Sequence, residues 1–322
     1  GGSVFDVVAF TNLTQDHLDF HGTMEEYGAA KLLLFTAALT ECPDARAVLN
    51  LDDPFARTIL ARLARPTLTV SLDPGGAADI RPADPPRYGI GGIDIPIRTP
   101  AGTLPLVTPL LGAHNLSNLL VALGIGLQLG LDPRAAAAGL SGVRAVPGRL
   151  ERVDGGGDVA VLVDYAHTPD ALARVLAALR PLTAGRLMVV FGCGGDRDRA
   201  KRPLMGAAVA RGADLAVVTS DNPRTEDADS IIGMILPGLA GAGWRSLPTS
   251  GLPEARRGYA VECERAAAIR WVIGAARPGD TVLIAGKGHE DYQILGTHRI
   301  HFDDREQARA AIAGRGGGGQ RG

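Results

Sequence analysis

Short apolar runs alternate with longer amphipathic segments in the second half of the chain, and this alternation predicts an α/β fold with a parallel sheet. Each apolar run ends in a polar or glycine-containing turn, which is typical of a buried strand. We predict strands at Val159–Val163, Leu187–Phe191, Leu215–Thr219 and Thr281–Ala285. We predict helices at Pro169–Leu179, Arg202–Arg211, Asp227–Leu239, Cys263–Ala276 and Arg305–Ala313.

The first half begins with the same alternation. Thr23 and Glu26 have the spacing of a helix capping box, which places a helix start between two apolar runs. The predicted order is strand Val4–Phe10, helix Thr23–Ala38, strand Ala47–Leu51, helix Pro54–Ala64 and strand Thr67–Leu72. This order is that of βαβ units.

The pattern changes after residue 75, where the chain becomes rich in proline and glycine. We predict β-hairpins there, with strands that include Ile93–Ile97 and Leu104–Val107. An Ala/Leu-rich helix then runs to about Leu129, and a second helix covers Pro133–Leu140. Gly142–Gly148 is predicted to link two domains.

Charge and cysteine content narrow the class of protein. The chain has 33 Lys and Arg against 35 Asp and Glu, for a net charge of -2, which gives no reason to expect a nucleic-acid partner. Its three cysteines form no CxxC pair, so neither a disulfide framework nor a structural zinc site is indicated. No apolar run is long enough to cross a membrane. We expect a cytoplasmic, enzyme-like protein.

Two polar turns follow predicted neighbouring strands. Gly192, Gly194 and Gly195 allow close approach of the backbone to a ligand, and basic residues follow them at a helix start. The second turn, residues 220–225, has the sequence Ser-Asp-Asn-Pro-Arg-Thr. Because ligands bind at the carboxyl ends of parallel strands, these turns predict a site for an acidic, polar small molecule.

The loop before the first helix contains several candidate metal ligands. Asp16, His17, Asp19 and His21 lie within six residues, which suits a metal site but also an ordinary polar loop. Lys31 stands in an apolar stretch of the following helix. It is either a lysine whose charged end reaches solvent or an amine activated by desolvation.

Several other polar residues each allow two interpretations. Asn115 and Asn118 could cap a helix or present two amides to an adenine edge. Arg149 could bind a phosphate or lie in a solvated linker. Asp164 and Tyr165 could contact a ribose and stack on a ring, or form a turn before an N-cap at Thr168.

The glycine-bearing turns after the strands do not carry either of two common nucleotide-binding motifs. Nowhere does the sequence contain GxxxxGK[ST], and the glycine turn at Gly192 lacks the full GxGxxG pattern. A dehydrogenase that uses this turn is therefore an alternative that the motif does not favour.

Seven separated motifs, taken together and in order, resemble one family, the ATP-dependent Mur ligases, and within it the MurE-type branch. They are TNLTQDHLDFHG with Lys31, GAHNLSN, PGRLE, DYAHTPDAL, FGCGGDRDRAKRP, DNPRTE and AGKGHEDYQ. The resemblance covers about Phe5 to Ala311. It implies an α/β fold with a remnant of a P-loop-type central ATPase domain, followed by a Rossmann-like α/β C-terminal domain.

The resemblance also implies a reaction. Such ligases phosphorylate a peptide carboxylate with ATP, and the amine of an incoming amino acid displaces the phosphate to form an amide. The implied substrates are UDP-MurNAc-L-Ala-D-Glu and diaminopimelate, in cytoplasmic peptidoglycan precursor synthesis, with ATP and Mg²⁺ as cofactors. A monomer is expected, with no nucleic-acid or membrane partner.

Site roles carry over by resemblance. Lys31 would be carbamylated and would hold Mg²⁺ beside His17. Asn115 and Asn118 would contact adenine, Arg149 a phosphate, and Asp164 the ribose, with Tyr165 beside it. The expected amino-acid pocket consists of Arg197, Asp221, Asn222, Pro223, Arg224, Gly286 and Glu290.

The pocket residues favour diaminopimelate over lysine. Arg224 and Arg197 can each clamp a carboxylate, and Glu290 can hold an ammonium. The distal end of diaminopimelate carries both charges. Lysine would leave Arg224 buried without a partner.

The sequence departs from the family in one respect. In the family, three parts precede the position that Val4 matches: the uridine-binding domain, the P-loop and a serine-rich segment with a metal-binding glutamate. We find none of them in this sequence, so we expect weak or absent ATP turnover. The expected domains are 1–146, a truncated central domain, 147–313, the C-terminal domain, and a disordered tail at 314–322. The alternatives are a non-catalytic amino-acid-binding module and another Mur or folylpolyglutamate ligase.

Overall fold

Two units, residues 1–144 and 145–322, make up the chain. The computed structural model describes residues 5–13, 23–36, 42–153, 155 and 157–316. The predicted domain boundary at 146/147 stays a prediction, and each unit is described by itself.

The first unit contains a parallel three-stranded sheet in the order β1-β2-β3. Its elements are β1 (Val7–Phe10), α1 (Met24–Phe35), β2 (Arg46–Asn50), α2 (Phe55–Leu60) and β3 (Thr67–Val70). Thr23 caps α1 by accepting a hydrogen bond from the Glu26 backbone amide at 3.2 Å, as the capping-box spacing predicted. The βαβ prediction for this region is therefore confirmed.

An antiparallel sheet and two helices complete the first unit. They are β4 (Arg81–Pro82), β5 (Tyr88–Gly89), β6 (Gly92–Thr99), β7 (Gly102–Thr108), α3 (Ala113–Gln128) and α4 (Pro133–Ser141). β6 pairs with β4, β5 and β7, and its alternate residues are buried. This pattern confirms the predicted hairpin, because one face of β6 packs into the core with Leu116 and Leu120 of α3.

The second unit is built on a six-stranded sheet with the order β12-β11-β10-β13-β9-β8. The strands are β8 (Glu151–Val153), β9 (Ala160–Asp164), β10 (Leu187–Phe191), β11 (Leu215–Val218), β12 (Gly258–Val261) and β13 (Thr281–Ala285). All neighbours pair in parallel except β8, which is antiparallel to β9. Every residue of the four central strands is buried, as their continuous apolar runs predicted.

Helices and one hairpin surround this sheet. They are α5 (Pro169–Leu179), α6 (Lys201–Gly212), α7 (Ala228–Gly241), α8 (Arg265–Ala275), β14 (Tyr292–Leu295), β15 (His298–His301) and α9 (Asp304–Gly316). Thr168 caps α5 by accepting from the Ala171 amide. Ile269, Val272 and Ile273 of α8 pack on the sheet in the main core of the unit.

Several predicted boundaries are wrong. The first strand begins at Val7, α1 ends at Phe35, and α2 ends at Leu60 instead of Ala64. α9 continues to Gly316, so residues 314–316 of the predicted disordered tail are helical, and residues 317–322 lie outside the described residues.

No helix in the described part of the chain combines the length and apolarity that a membrane crossing requires.

Candidate functional site

A polar pocket of about 290 Å³ lies at the carboxyl ends of the central strands of the second unit. The predicted residues on its lining are Tyr165, Arg197, Asp221, Asn222, Arg224, Gly286 and Glu290. Gly194 of the predicted glycine turn and Lys201 of the basic segment after it also line the pocket, as do His167 and Tyr292, which the sequence did not single out. The structure thus brings together six of the seven residues expected to bind the amino acid. Pro223 is buried and is not on the lining.

Hydrogen bonds join the turn after β10 to the turn after β11. The Gly195 amide donates to the Asn222 carbonyl at 2.9 Å, and Arg224 Nη1 donates to the Gly195 carbonyl at 2.7 Å. A Cβ on Gly195 would lie 1.8 Å from the Pro223 carbonyl oxygen. Glycine is therefore required at position 195 by the close approach of the second turn.

Carboxylates hold the same two turns from the outside. Asp196 accepts from Thr225 Oγ1 at 2.8 Å, and Glu226 accepts from the Asp196 amide at 2.6 Å. Arg202, which is fully buried, donates to both oxygens of Glu226, at 2.7 and 3.0 Å. The hydrogen bonds from Arg202 and from the Asp196 amide lower the pKa of Glu226 from its ordinary 4.5 to about 2. The turns are therefore held by an ionised carboxylate at neutral pH.

Asn222 is the central polar group of the pocket. Its amide nitrogen donates to Glu290 Oε2 at 3.0 Å, and its amide oxygen accepts from Lys287 Nζ at 2.8 Å and from the Ile294 amide at 3.0 Å. Lys287 Nζ also lies 3.2 Å from Asp221 Oδ1. Burial lowers the pKa of Lys287, and the nearby Asp221 carboxylate opposes that shift.

The pocket presents charges of both signs. Arg197 is exposed at its rim, and Lys201 donates from Nζ to the His167 carbonyl at 3.0 Å. Guanidinium groups bind carboxylates in a two-pronged geometry, and Glu290 can accept from an ammonium. Such a pocket can hold a small molecule that carries both a carboxylate and an ammonium.

A second cluster borders the pocket through Tyr165. The Arg149 guanidinium lies 5.3 Å from the centre of the Tyr165 ring, and the rings of His167 and His289 lie 4.6 and 5.3 Å from it. Arg149 is exposed, so its charge is available to a phosphate.

Asp164 is less free than the sequence suggested. It is buried, and its two oxygens accept from the Leu150 and Ala166 amides, each at 2.8 Å. A carboxylate oxygen can accept more than one hydrogen bond, and the ribose contact of Asp164 stays a prediction. In the structure, the Asp164 carboxylate holds the backbone at Leu150 and Ala166 through these two hydrogen bonds.

The predicted residues of the first unit have different surroundings. Asn115 is buried and donates from Nδ2 to the Leu111 carbonyl at 2.8 Å, whereas Asn118 is exposed. Gly112 occupies the N-cap position of α3, so neither asparagine caps this helix. A joint adenine contact by both amides stays a prediction.

Lys31 is half-buried on α1, with Nζ 4.9 Å from the centre of the Tyr27 ring. His17 lies outside the described residues. Among the residues that are described, no three His, Cys, Asp or Glu side chains group in a way that could hold a metal ion. The metal-ligand roles of Lys31 and His17 stay predictions.

Two family models match the chain. The Mur ligase middle domain matches residues 2–126, and the glutamate ligase domain of Mur ligases matches residues 148–288. The chain belongs to the Mur ligase family. The expected α/β fold, with a Mur ligase middle domain followed by a C-terminal domain, is confirmed by these matches.

Relatives within the Mur ligases are similar over nearly the whole chain. A protein of Geobacter metallireducens named UDP-N-acetylmuramoyl-L-alanyl-D-glutamate–2,6-diaminopimelate ligase is 48% identical over 316 residues, which are 97% of this chain and 61% of that protein. A protein of the same name from Gloeobacter violaceus is 51% identical over 315 residues, 98% of this chain and 60% of that protein. This chain therefore spans about three fifths of the length of these relatives.

A solved Mur ligase structure is also similar. It is the structure of a UDP-N-acetylmuramoyl-L-alanyl-D-glutamate–2,6-diaminopimelate ligase, which matches with a TM-score of 0.67 and 37% identity over 97% of this chain and 61% of that one. The MurE-type resemblance read from the motifs is thus confirmed by sequence and by structure.

Proposed function

We propose that this chain serves an ATP-dependent ligase that adds diaminopimelate to UDP-MurNAc-L-Ala-D-Glu in the cytoplasm. The peptide carboxylate would be activated as an acyl phosphate, and the amine of diaminopimelate would then displace phosphate and form the amide. The names of the relatives support this reaction class.

The observation that carries the proposal is the pocket of the second unit. Arg224 and Arg197 line it together with Glu290 and Asn222. The distal carboxylate of diaminopimelate would bind the guanidinium groups and the Asn222 amide, and the distal ammonium would bind Glu290. Lysine lacks that carboxylate, so its binding would leave Arg224 without an anionic partner.

The nucleotide roles are assigned as part of the same proposal. Arg149 would contact a phosphate, Asp164 the ribose with Tyr165 beside it, and Asn115 and Asn118 the adenine. Bound ATP would supply the phosphoryl group. Carbamylated Lys31 and His17 would hold Mg²⁺, and the enzyme would act as a monomer.

Calorimetric titration with diaminopimelate, with lysine as the control, tests the substrate assignment. Selective binding of diaminopimelate supports it. Preferential binding of lysine contradicts it and leaves only the ligase family. Binding of neither ligand to a folded chain contradicts the assignment of this pocket as sufficient for amino-acid binding.

A further inference from the structure

Lys287 is fully buried, although lysine is among the residues least often found in protein interiors. It follows the last residue of β13 by two positions and lies beneath the pocket without lining it. The roles proposed above do not use it. Since burial of an ammonium is costly, its polar neighbours must compensate.

These neighbours belong to the amino-acid pocket. Lys287 Nζ donates to Asn222 Oδ1 and to the Tyr292 carbonyl, each at 2.8 Å. It also lies 3.2 Å from Asp221 Oδ1 and 4.0 Å from Glu290 Oε2. The Lys287 ammonium thus contacts Asn222 and lies close to the carboxylates of Asp221 and Glu290, and all three residues line the pocket.

The orientation of the Asn222 amide follows from hydrogen-bond chemistry. Lys287 Nζ and the Ile294 backbone amide can only donate, so the atom that faces them must be the amide oxygen. A Glu290 carboxylate only accepts, so the atom 3.0 Å from it must be the amide nitrogen. Neighbours on both sides therefore fix which end of the amide meets a ligand.

We propose that Lys287 is a positioning residue that keeps the Asn222 amide nitrogen and Glu290 in the arrangement that prefers diaminopimelate to lysine. This inference rests on the proposed function. With the ammonium in place, the Asn222 amide nitrogen donates one N–H to Glu290 and offers the other to a carboxylate. Glu290 retains one oxygen for an ammonium.

Loss of the Lys287 charge would change two things at once. The amide oxygen of Asn222 would keep only the Ile294 donor, and Asp221 and Glu290 would lose the buried cation that faces both. The pocket would become more negative and would favour the ammonium of lysine over the distal carboxylate of diaminopimelate. The expected signature is a change in selectivity as well as in affinity.

A matched control lies at the other end of the same sheet. Arg186 is a largely buried cation whose Nη2 lies 2.7 Å from Asp280 Oδ2, immediately before β10 and β13 begin. Its removal also leaves a buried carboxylate unpaired, but far from the pocket. Arg186→Met therefore reports the general cost of removing a buried cation.

The experiment is calorimetric titration of diaminopimelate and of lysine into wild type, Lys287→Met and Arg186→Met. We expect the ratio of the two affinities to fall about tenfold or more in Lys287→Met, the size expected for a hydrogen bond to a charged group. In Arg186→Met the ratio should not change. An unchanged ratio in Lys287→Met would overturn the proposal.

A second measurement needs neither the Lys287→Met variant nor the substrate. In ¹⁵N-labelled wild type, the side-chain amide signals of Asn222, assigned by their loss in Asn222→Asp, should be well resolved and exchange slowly with solvent. Fast exchange would overturn the positioning role even if Lys287→Met did not fold. If wild type fails to bind diaminopimelate while these signals are protected, the substrate proposal is wrong and the positioning of Asn222 stands.

Discussion

Arg224 donates from Nη1 to the Gly195 carbonyl at 2.7 Å. The backbone of Arg224 has a φ of 53°, which lies in the left-handed region. Such a conformation is uncommon for a residue with a side chain. The Arg224 amide donates to Ile294 at 3.1 Å, and its carbonyl accepts from Gly296 at 2.8 Å. Backbone and side chain are thus both fixed before a ligand arrives, which lowers the entropic cost of binding.

Arg224→Ala should weaken diaminopimelate binding roughly 10- to 100-fold, the loss expected when a hydrogen bond to a charged group is removed. Lysine binding should change much less, because lysine has no distal carboxylate. Titration calorimetry of both ligands measures the difference. Arg270→Ala, which removes an exposed arginine from α8, is the control and should bind both ligands as wild type does. Full diaminopimelate affinity in Arg224→Ala would count against the proposed pocket.

Gly195→Ala should disturb the pocket and lower stability. The added Cβ would meet the Pro223 carbonyl oxygen at 1.8 Å, so one of the two turns must move. We expect a loss of roughly 1–3 kcal/mol in the free energy of unfolding, the range of overpacking substitutions. Gly233→Ala is the control, because nothing lies within 4 Å of that Cβ and the residue lies inside α7. It should raise stability by up to about 1 kcal/mol. Equal effects of both substitutions in denaturant unfolding would argue against the close approach.

Glu226→Gln should destabilise the chain at neutral pH and make little difference in strong acid. The folded-state pKa of Glu226 is about 2, below its ordinary 4.5, so the carboxylate stabilises the fold fully above pH 4.5. That contribution is lost as the pH falls from 4.5 toward 2. The difference in Tm between wild type and Glu226→Gln should shrink through this window. A difference that stays constant from pH 7 to pH 2 would contradict the assigned hydrogen bonds.

Cys193 should resist alkylation in the folded chain. Burial raises the pKa of its thiol to about 12, and the thiolate is the reactive form. We expect mass spectrometry after iodoacetamide treatment at pH 8 to show Cys193 unmodified until denaturant is added. Rapid modification of Cys193 in the native chain would show that the glycine turn opens.

The sequence predicted the central strands well because their signal is local. Leu187–Phe191 and Thr281–Ala285 have the bounds that their apolar runs indicated, since both faces of a central parallel strand are buried. β12 and the β14–β15 hairpin were missed. All four residues of β15 are exposed, so this strand has no apolar face to show in the sequence.

The candidate site was predictable to the extent that its residues occupy turns after strands. Arg224 and Asn222 were found because their motif follows β11 directly. Lys287 was missed, because a lysine between two glycines gives no sign of burial. Its burial depends on Asn222 and Tyr292, which reach it through tertiary structure. The pairing of Asn115 with Asn118 was expected from their spacing, but one is buried and the other exposed.

The two ends of β10 and β13 carry two separate groups of polar residues. Arg186 and Asp280 form their ion pair where these strands begin, and the pocket turns follow where they end. Five-residue strands place these ends roughly 16 Å apart, a distance at which substitutions usually contribute independently. Substitutions that change which amino acid the pocket binds often lower stability. Selection or design can offset that loss with stabilising substitutions at the opposite ends of these strands, because the two sets contribute independently.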